Sequence, residues 1–509
     1  MSKPEVNPEM LSNCADFEKG PSPEKLDNKL EDTNIVDWNG PQDAANPQNW
    51  TNSKKWVHII MVSLFALVTP VSLILIYFHR RNMAPTMCVP GINDLVAEFH
   101  ITSSTVSSLA VTIYVLGLAI GPMVISPLSE TYGRLPVYHA SNPIFLAFVI
   151  GCALSRTIAQ FMVFRFISGC MGGTPMALGG ATIAEVTRPE ARSVAMALFS
   201  LGPLTGPVLG PVIGGFTAGG LGWRWTFWLL AILSGTVYIT AAVFMRETHP
   251  KVLLERKATS LQASTGNSDL RTKTAQSHLT PGQVLVAALI RPSKLLIRSP
   301  ILLVISIYVA LVFGTMYILF TTFTDVFEGQ YGFSTSVSGL TYLGLGVALV
   351  AAMITFRTFG DRVQQSRMRA DGVQTPKPEY RLVLMIVFSP CVGLGLFMYG
   401  WTAYYKVHWI VPIIGTGLTG FGAFFVLMPA QLYLVDLFGS QAAASALGAN
   451  NLLRFLFSTF LPLAGPPMYE ALGYGWGNTL LGFLALAFVP FPILFYKHGE
   501  RLRAKPVEL

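Results

Sequence analysis

Apolar residues come along this chain in long unbroken runs. They show neither the alternation of a half-buried strand nor the three-four spacing of a soluble amphipathic helix. Twelve runs, each about 19 to 26 residues long, suit helices that cross a hydrocarbon core of roughly 30 Å. They fall near 56–78, 104–127, 136–154, 159–184, 194–218 and 225–245, then near 300–323, 336–356, 382–401, 407–430, 442–464 and 477–496. None contains Asp, Glu or Lys within those limits. A polar break from about Thr248 to Ser299, rich in Lys, Arg, Ser and Thr, divides them six and six. The pattern predicts an all-α membrane protein, with twelve transmembrane helices in two six-helix bundles, 56–247 and 300–496. A central cytosolic loop, 248–299, joins the bundles, and residues 1–55 and 497–509 form cytosolic tails.

The fifth run departs from the others in a regular way. Glycine recurs at 202, 206, 210 and 214, and proline beside it at 203, 207 and 211. On a helix of about 3.6 residues per turn this makes two adjacent strips on one face. The glycine strip lets a neighbouring backbone approach closely. Each proline removes a backbone donor, leaving the carbonyls of Phe199, Pro203 and Pro207 without their usual partner. Such a helix is tolerated in a bilayer where protein or a water-filled cavity satisfies the freed groups. The expectation is a bent, tightly packed helix on the seam between the two bundles.

Composition agrees with the runs: 52% hydrophobic residues and only 12% charged, against about a quarter charged in soluble domains. The basic residues fix orientation. Arg80, Arg81, Arg156, Arg224 and Lys406 fall on one side, Arg165 and Arg454 lie inside runs, and the remaining Lys and Arg share the side of the N-terminus. Both termini are therefore expected in the cytosol. The net charge of +8 is then a topogenic, lipid-facing feature, and nucleic acid is excluded as a partner. Residues 1–50 hold ten Asp and Glu against four Lys and Arg, with six prolines, the composition of a disordered acidic tail. The five cysteines show no disulfide or metal spacing, so neither a metal nor a cofactor is expected. No Ser/His/Asp or His/Asp constellation recurs at the run ends, which argues against an enzyme.

Several motifs then appear in order. Ser126-Pro127-Leu128-Ser129-Glu130-Thr131-Tyr132-Gly133-Arg134, between runs 2 and 3, resembles the G-x-L-a-D-r-x-G-r loop of the major facilitator superfamily. Arg165-Phe166-Ile167-Ser168-Gly169 in run 4 is similar to that superfamily's second motif, and the glycine-proline helix to its antiporter motif. Gly360-Asp361-Arg362 after run 8 is a fainter echo of the loop. Asn46-Pro47-Gln48-Asn49-Trp50, Trp223-Arg224-Trp225-Thr226-Phe227-Trp228, Glu247-Thr248-His249-Pro250, Thr341-Tyr342-Leu343-Gly344-Leu345-Gly346 and Tyr433-Leu434-Val435-Asp436 resemble the fungal twelve-span drug:proton antiporters. That group exports drugs, polyamines and secondary metabolites. One departure is the basic trio His79-Arg80-Arg81 within Leu73 to Met87, where run 1 leaves the membrane. It reads as an extra segment or a gene-model artefact.

Candidate residues follow from charge and place. Arg165 and Arg454 sit inside runs, where a charge costs roughly 2.5–3.5 kcal/mol on insertion scales and normally faces the protein interior. Arg165 reads as a proton- or substrate-handling group, with a structural ion pair or capping of proline-freed carbonyls as the alternative; Arg454 reads as cavity-facing. Glu130, Gly133, Arg134 and Glu185 gather at the predicted cytosolic surface as a latch between the halves. Asp361, Arg362 and Asp436 are the second-half candidates. Tyr308, Tyr317, Tyr342 and Phe424 are expected to line a neutral to positive cavity. With no carboxylate in the runs, neutral or weakly anionic amphiphiles fit that cavity better than polyamines. The Trp223–Trp228 cluster is expected as an interfacial aromatic anchor. The reading is a monomeric exporter of hydrophobic small molecules in exchange for protons, in the plasma or vacuolar membrane. A sugar or other nutrient transporter and a polyamine exporter are the alternatives.

Overall fold

A computed structural model describes residues 34–40, 42–74, 98–99, 103–272, 281–373 and 375–503. The basic trio of the Leu73–Met87 segment, the first 33 residues of the acidic tail, Cys14 and Cys88 lie outside the described residues. Among those described, eleven helical stretches are long and apolar enough to cross a membrane, from Asn52–Ser72 to Ala442–Arg501. The last holds 60 residues, about 90 Å at 1.5 Å per residue, so it supplies two crossings of a ~30 Å core. It is interrupted by a tight helical turn at Leu461–Ala464 and by Gly473 at φ 70°. The chain is thus all-α, with twelve membrane helices in two bundles.

The first half comprises α1 (Asn52–Ile74), α2 (Ser104–Tyr132), α3 (Arg134–Leu154) and α4 (Ile158–Gly172), which resumes past Gly173 as α5 (Thr174–Val186). Then come α6 (Pro189–Leu221) and α7 (Trp223–Phe244). Turns with a positive φ separate neighbouring spans: Gly133 takes φ 98° between α2 and α3, and Gly222 φ 88° between α6 and α7. Glycine reaches this region without steric cost. Thr157 caps α4 by accepting from the Gln160 amide at 3.3 Å, satisfying one of the donors a helix start leaves open.

Two helices follow in the stretch expected as loop: α8 (Pro250–Thr265) and α9 (Pro281–Arg298). The second half holds α10 (Pro300–Gly329), α11 (Thr335–Leu340), α12 (Tyr342–Asp371), α13 (Leu382–Phe388) and α14 (Pro390–Tyr404). It closes with α15 (Ile410–Phe460), broken at Gly439, then α16 (Gly465–Ala487) and α17 (Pro490–Arg503). The two halves meet where α6 packs on α11 and α12, and where α2 packs on α15. Helix α9 touches both α2 and α15, seating Leu295 in the core and leaving Val286, Ile290 and Ile297 exposed. Apolar side chains such as Leu209, Phe216, Ile239 and Phe483 cover the outside, as a lipid solvent requires.

Two expectations change here. Helix α10 runs past residue 323 to Gly329 and carries Asp325 and Glu328, so the candidate spans are not free of carboxylates. Trp223 is 6% exposed and packs edge-on against Phe161 and Phe227. Arg224 lies over its ring and pairs with Glu98, whose carboxyl that guanidinium holds below the usual range. The cluster is therefore core at Trp223, and only Trp225 remains on the surface.

A second compact unit takes residues up to Asp43 and Leu253–His278. In it Ile35–Val36 pairs in parallel with Arg271–Thr272. Lys257 Nζ bonds the Asp37 carbonyl at 2.8 Å and Asn39 Oδ1 at 2.9 Å, and pairs with Asp43 at 3.4 Å. Lys257 thereby pairs with one acid of the expected tail, and two of its residues, Ile35 and Val36, join a short parallel bridge.

Candidate functional site

The glycine-proline stretch lies in α6, which runs as one helix from Pro189 to Leu221. A Cβ on Gly202 would lie 2.8 Å from the Leu67 amide nitrogen, and one on Gly206 2.3 Å from Pro70 Cγ. That side of the helix is therefore pressed onto α1 with no room for a side chain. The other side meets the second half. A Cβ on Gly346 would lie 2.7 Å from Val208 Cγ1, and Ser336 Oγ donates to the Gly215 carbonyl at 3.5 Å. Gly210, Pro211 and Gly214 are buried, and Pro203 is half-buried. Pro207 is part of the same helix, its side chain outside the described residues. Removing Cβ atoms on two sides lets one helix serve two interfaces, the close packing small residues permit in membranes.

The acidic-basic loop forms a clasp within the first half. Glu247, only 4% exposed, follows α7 and reaches the start of α3. Its Oε1 accepts from the amides of Arg134, Thr248 and His249, each at 2.9 Å, and its Oε2 from the Leu135 amide at 3.1 Å. A carboxylate at a helix N-terminus meets open donors and the positive end of the dipole. Gly133 is required beside it: its φ is 98°, and a Cβ there would lie 2.4 Å from Glu247 Oε2. Arg134 in turn pairs with Glu185 Oε1 through Nε at 3.1 Å and Nη2 at 3.0 Å, and donates to Ser129 Oγ. Thr248 Oγ1 donates to Glu185 Oε2 at 2.7 Å. Burial, then the nearby Arg134 charge, pushes the His249 imidazole down to about 4. The expected latch thus ties α3 to α5 and to the end of α7 inside one bundle. Glu130 is exposed and stands apart from it.

The second half builds its clasp elsewhere than expected. Gly360-Asp361-Arg362 lies in the body of α12, with Asp361 and Arg362 exposed. Arg381, just before α13, instead donates from Nε to Asp436 Oδ2 on α15 at 3.0 Å. By order along the chain this matches Arg134 with Glu185: each arginine opens the third span of its half and each acid stands near the end of the fourth. Sequence reading missed Arg381 and used Glu247 only as part of a family motif. Glu247 carries a local signal, an acid followed by Thr-His-Pro immediately after an apolar run.

Deeper in the first half, Arg165 is 1% exposed. Its Nη1 donates to the Ser72 carbonyl at 3.0 Å, and its guanidinium lies 4.6 Å from the Tyr114 ring centre and 5.8 Å from that of Phe227. The Tyr114 hydroxyl donates to the Thr69 carbonyl at 3.2 Å. One cation thereby joins α1, α2, α4 and α7, holding a carbonyl near the end of a proline-containing helix. The carbonyl it holds lies in the last turn of α1 and differs from the one that Pro70 frees, that of Ala66, and cation–π contact adds to the hold.

In the second half Arg454 is half-buried on α15, its guanidinium 5.1 Å from the Phe313 ring centre and 4.6 Å from that of Phe455. A small cavity of about 10 Å³, room for roughly one water, lies among Met316, Phe320, Phe323, Tyr342, Leu345 and Thr416. Of the four aromatics expected to line a cavity, Tyr342 does so. Tyr317 packs on Phe320 at its margin, with ring centres 5.6 Å apart. Tyr308 stacks on Phe488 and Phe424 packs on Phe356 and Phe425, both in the interior of the second half and away from that cavity.

Two six-helix halves, a side-chain-poor seam and an arginine set against aromatic rings in each half define a polytopic membrane transporter rather than an enzyme. The chain belongs to the major facilitator superfamily, whose family model matches residues 58–462. It is 53% identical to the MFS transporter prlG of Fungal sp., over 94% of this chain and 98% of that one. It is 46% identical to the trichosetin biosynthesis cluster MFS transporter of Gibberella fujikuroi, over 94% and 90%. The efflux pump radE of Floropilus chiversii is 42% identical over 94% and 87%. Among solved structures, a D-xylose-proton symporter shares the fold at TM-score 0.60 and 16% identity, over 86% of this chain and 98% of that one.

Proposed function

We propose that this transporter exports a hydrophobic or amphiphilic small molecule, a secondary metabolite, toxin or drug, from the cytosol in exchange for protons. Alternating access is the mechanism: the two bundles pivot about α6 and expose one pocket to each side in turn. The reading has both termini in the cytosol and the protein as a monomer in the plasma membrane. The observation that carries it is the two-sided packing of α6, with Gly202 and Gly206 on α1 and Val208 and Gly215 on the other half. Relatives bearing the names of a biosynthesis-cluster transporter and an efflux pump support the direction.

Proton coupling falls on Glu185 with Arg134 and Thr248. A proton on Glu185 removes the charge that holds Arg134, and the clasp between α3 and α5 loosens at the end of the bundle where a gate is needed. In the second half Asp436 with Arg381 takes the corresponding role, displacing Asp361 and Arg362. A sugar reading is disfavoured by the cavity, whose lining offers little besides Thr416 and the Tyr342 hydroxyl, and the latter is donated to the Phe320 carbonyl at 3.1 Å.

The test is uptake of an amphiphilic dye by everted vesicles with an imposed gradient. An acidic lumen should drive uptake, a protonophore should abolish it, and Glu185→Gln should uncouple it from the gradient. Uptake indifferent to the gradient sinks antiport and leaves facilitated transport.

A further inference from the structure

The second half contains a group of polar side chains that the fold leaves without partners. On α15, Asn450 is fully buried, yet neither its Oδ1 nor its Nδ2 has a hydrogen-bond partner among the described residues. Asn451 Oδ1, Arg454 Nε and Ser458 Oγ share that condition. Asn450, Arg454 and Ser458 are spaced i, i+4 and i+8, so they form one stripe on a helix. Helix α15 packs against α10, where Ser306 Oγ and Thr315 Oγ1 are likewise buried and unpartnered. Buried polar atoms are ordinarily satisfied. Several orphans along one helix face and its neighbour, with an arginine among them, mark a place prepared for a polar guest.

The character of that guest follows from the walls. Arg454 is held between the rings of Phe313 and Phe455, which orient a planar guanidinium without using its N–H groups. The nearest acid along α10 from Phe313 is Asp325, twelve residues or about 18 Å further along the helix. A cation so placed, with a carboxamide one turn away, suits a planar oxyanion received by two parallel N–H donors. Tyr317 lies within electrostatic reach of Arg454 and packs on Phe320. Phe320 opens onto the apolar cavity with Met316 and Leu345. Aromatic side chains thus stand beside the arginine on both helices, Phe313 on α10 and Phe455 on α15.

We infer that Arg454, Asn450 and Ser458 form the head-group site for an anionic amphiphile, a cargo whose carboxylate or delocalised oxyanion lies on Arg454 while its apolar body lies against the neighbouring aromatic side chains. The inference rests on the export reading for its cargo but is tested by binding, apart from transport.

The probes are dansyl-aminoundecanoic acid and its methyl ester, titrated into the purified full-length transporter and followed by dansyl fluorescence. The acid should bind at least about tenfold more tightly than the ester, the gain expected of charge-assisted pairing in a desolvated site. Arg454→Gln should erase that preference while leaving ester binding in place, and Arg454→Lys should restore part of it, since the charge returns without the fork. Acid and ester binding equally to the unmodified protein overturns the site, and this comparison needs no variant to fold. A preference that survives Arg454→Gln overturns it too. Vesicle uptake of the same probes separates the two readings. Acid-selective binding without gradient-driven uptake keeps the site and removes the exporter; uptake that ignores the acid keeps the exporter and removes the site.

Discussion

The third and sixth spans of one half, and the ninth and twelfth of the other, close the same kind of junction with the parts exchanged. In the first half the glycine starts the third span and the acid ends the sixth: a Cβ on Gly133 would lie 2.4 Å from Glu247 Oε2. In the second half the acid, Glu379, precedes the ninth span and the glycine, Gly499, lies on the last helix, where a Cβ would come within 2.9 Å of Glu379 Oε1. In both halves a buried carboxylate lies against a glycine. The arginine pairs differ in depth. Arg134 and Glu185 have side chains 9% and 12% exposed, Arg381 and Asp436 27% and 36%. Water screens the second pair and hardly reaches the first, so the first half carries the tighter clasp and the second the more easily exchanged one.

The widest separation between the halves is expected from the arginines. Arg134→Ala leaves Glu185 buried without its cation and should cost roughly 3 kcal/mol, whereas Arg381→Ala should cost about 1 kcal/mol or less. Thermal unfolding in detergent reads both, and equal losses would break the comparison. Next come the acids. Glu247→Gln retains one acceptor for four amide donors and should cost roughly 2 kcal/mol. Glu500→Gln removes the partner of Lys377, 3.2 Å away with a side chain 68% exposed, and should stay within about 0.5 kcal/mol.

Glycine substitutions sharpen the point. Gly133→Ala meets both a left-handed backbone and the Glu247 carboxylate, a cost of roughly 2 kcal/mol. Gly372→Ala has φ 65° but open space around it, so only the backbone term of about 1 kcal/mol remains. His249 gives the contrast in pH dependence. Its folded value, about 4, lies below the ordinary 6.5, so the unfolded chain binds the extra proton between them. Stability therefore falls as pH drops from 6.5 toward 4, and His249→Gln should flatten that part of the profile. An unchanged profile would show that another group governs the acid limb.

Much of this was legible in the chain. Run length and the absence of charge announce membrane helices, because lipid offers the backbone no other partner. The repeat of glycine at 202, 206, 210 and 214 announces close approach, since nothing else accounts for a face without side chains. Arg134 and Glu185 could be named from the loop motif and its surroundings. Glu247 as an N-terminal cap and Arg381 as the mate of Asp436 could not, because their partners are distant in sequence, 113 residues for the Arg134 amide and 55 for Asp436. The exposed Asp361 and Arg362 show the converse, a motif echo with no fold around it to give it a task.

The sequence by itself determined that this protein crosses a bilayer twelve times in two halves, and which helix would tolerate a backbone at close range. Those properties depend on local transfer energies and on the size of each side chain. Only the tertiary structure decided which charges meet: that Glu247 closes the start of α3, that Arg165 rests on a carbonyl and a tyrosine ring, and that Asn450 and Arg454 are left with polar atoms unmatched. A charge inside a membrane protein is assigned by what stands beside it in space, and hydrophobic periodicity along the chain carries no record of that.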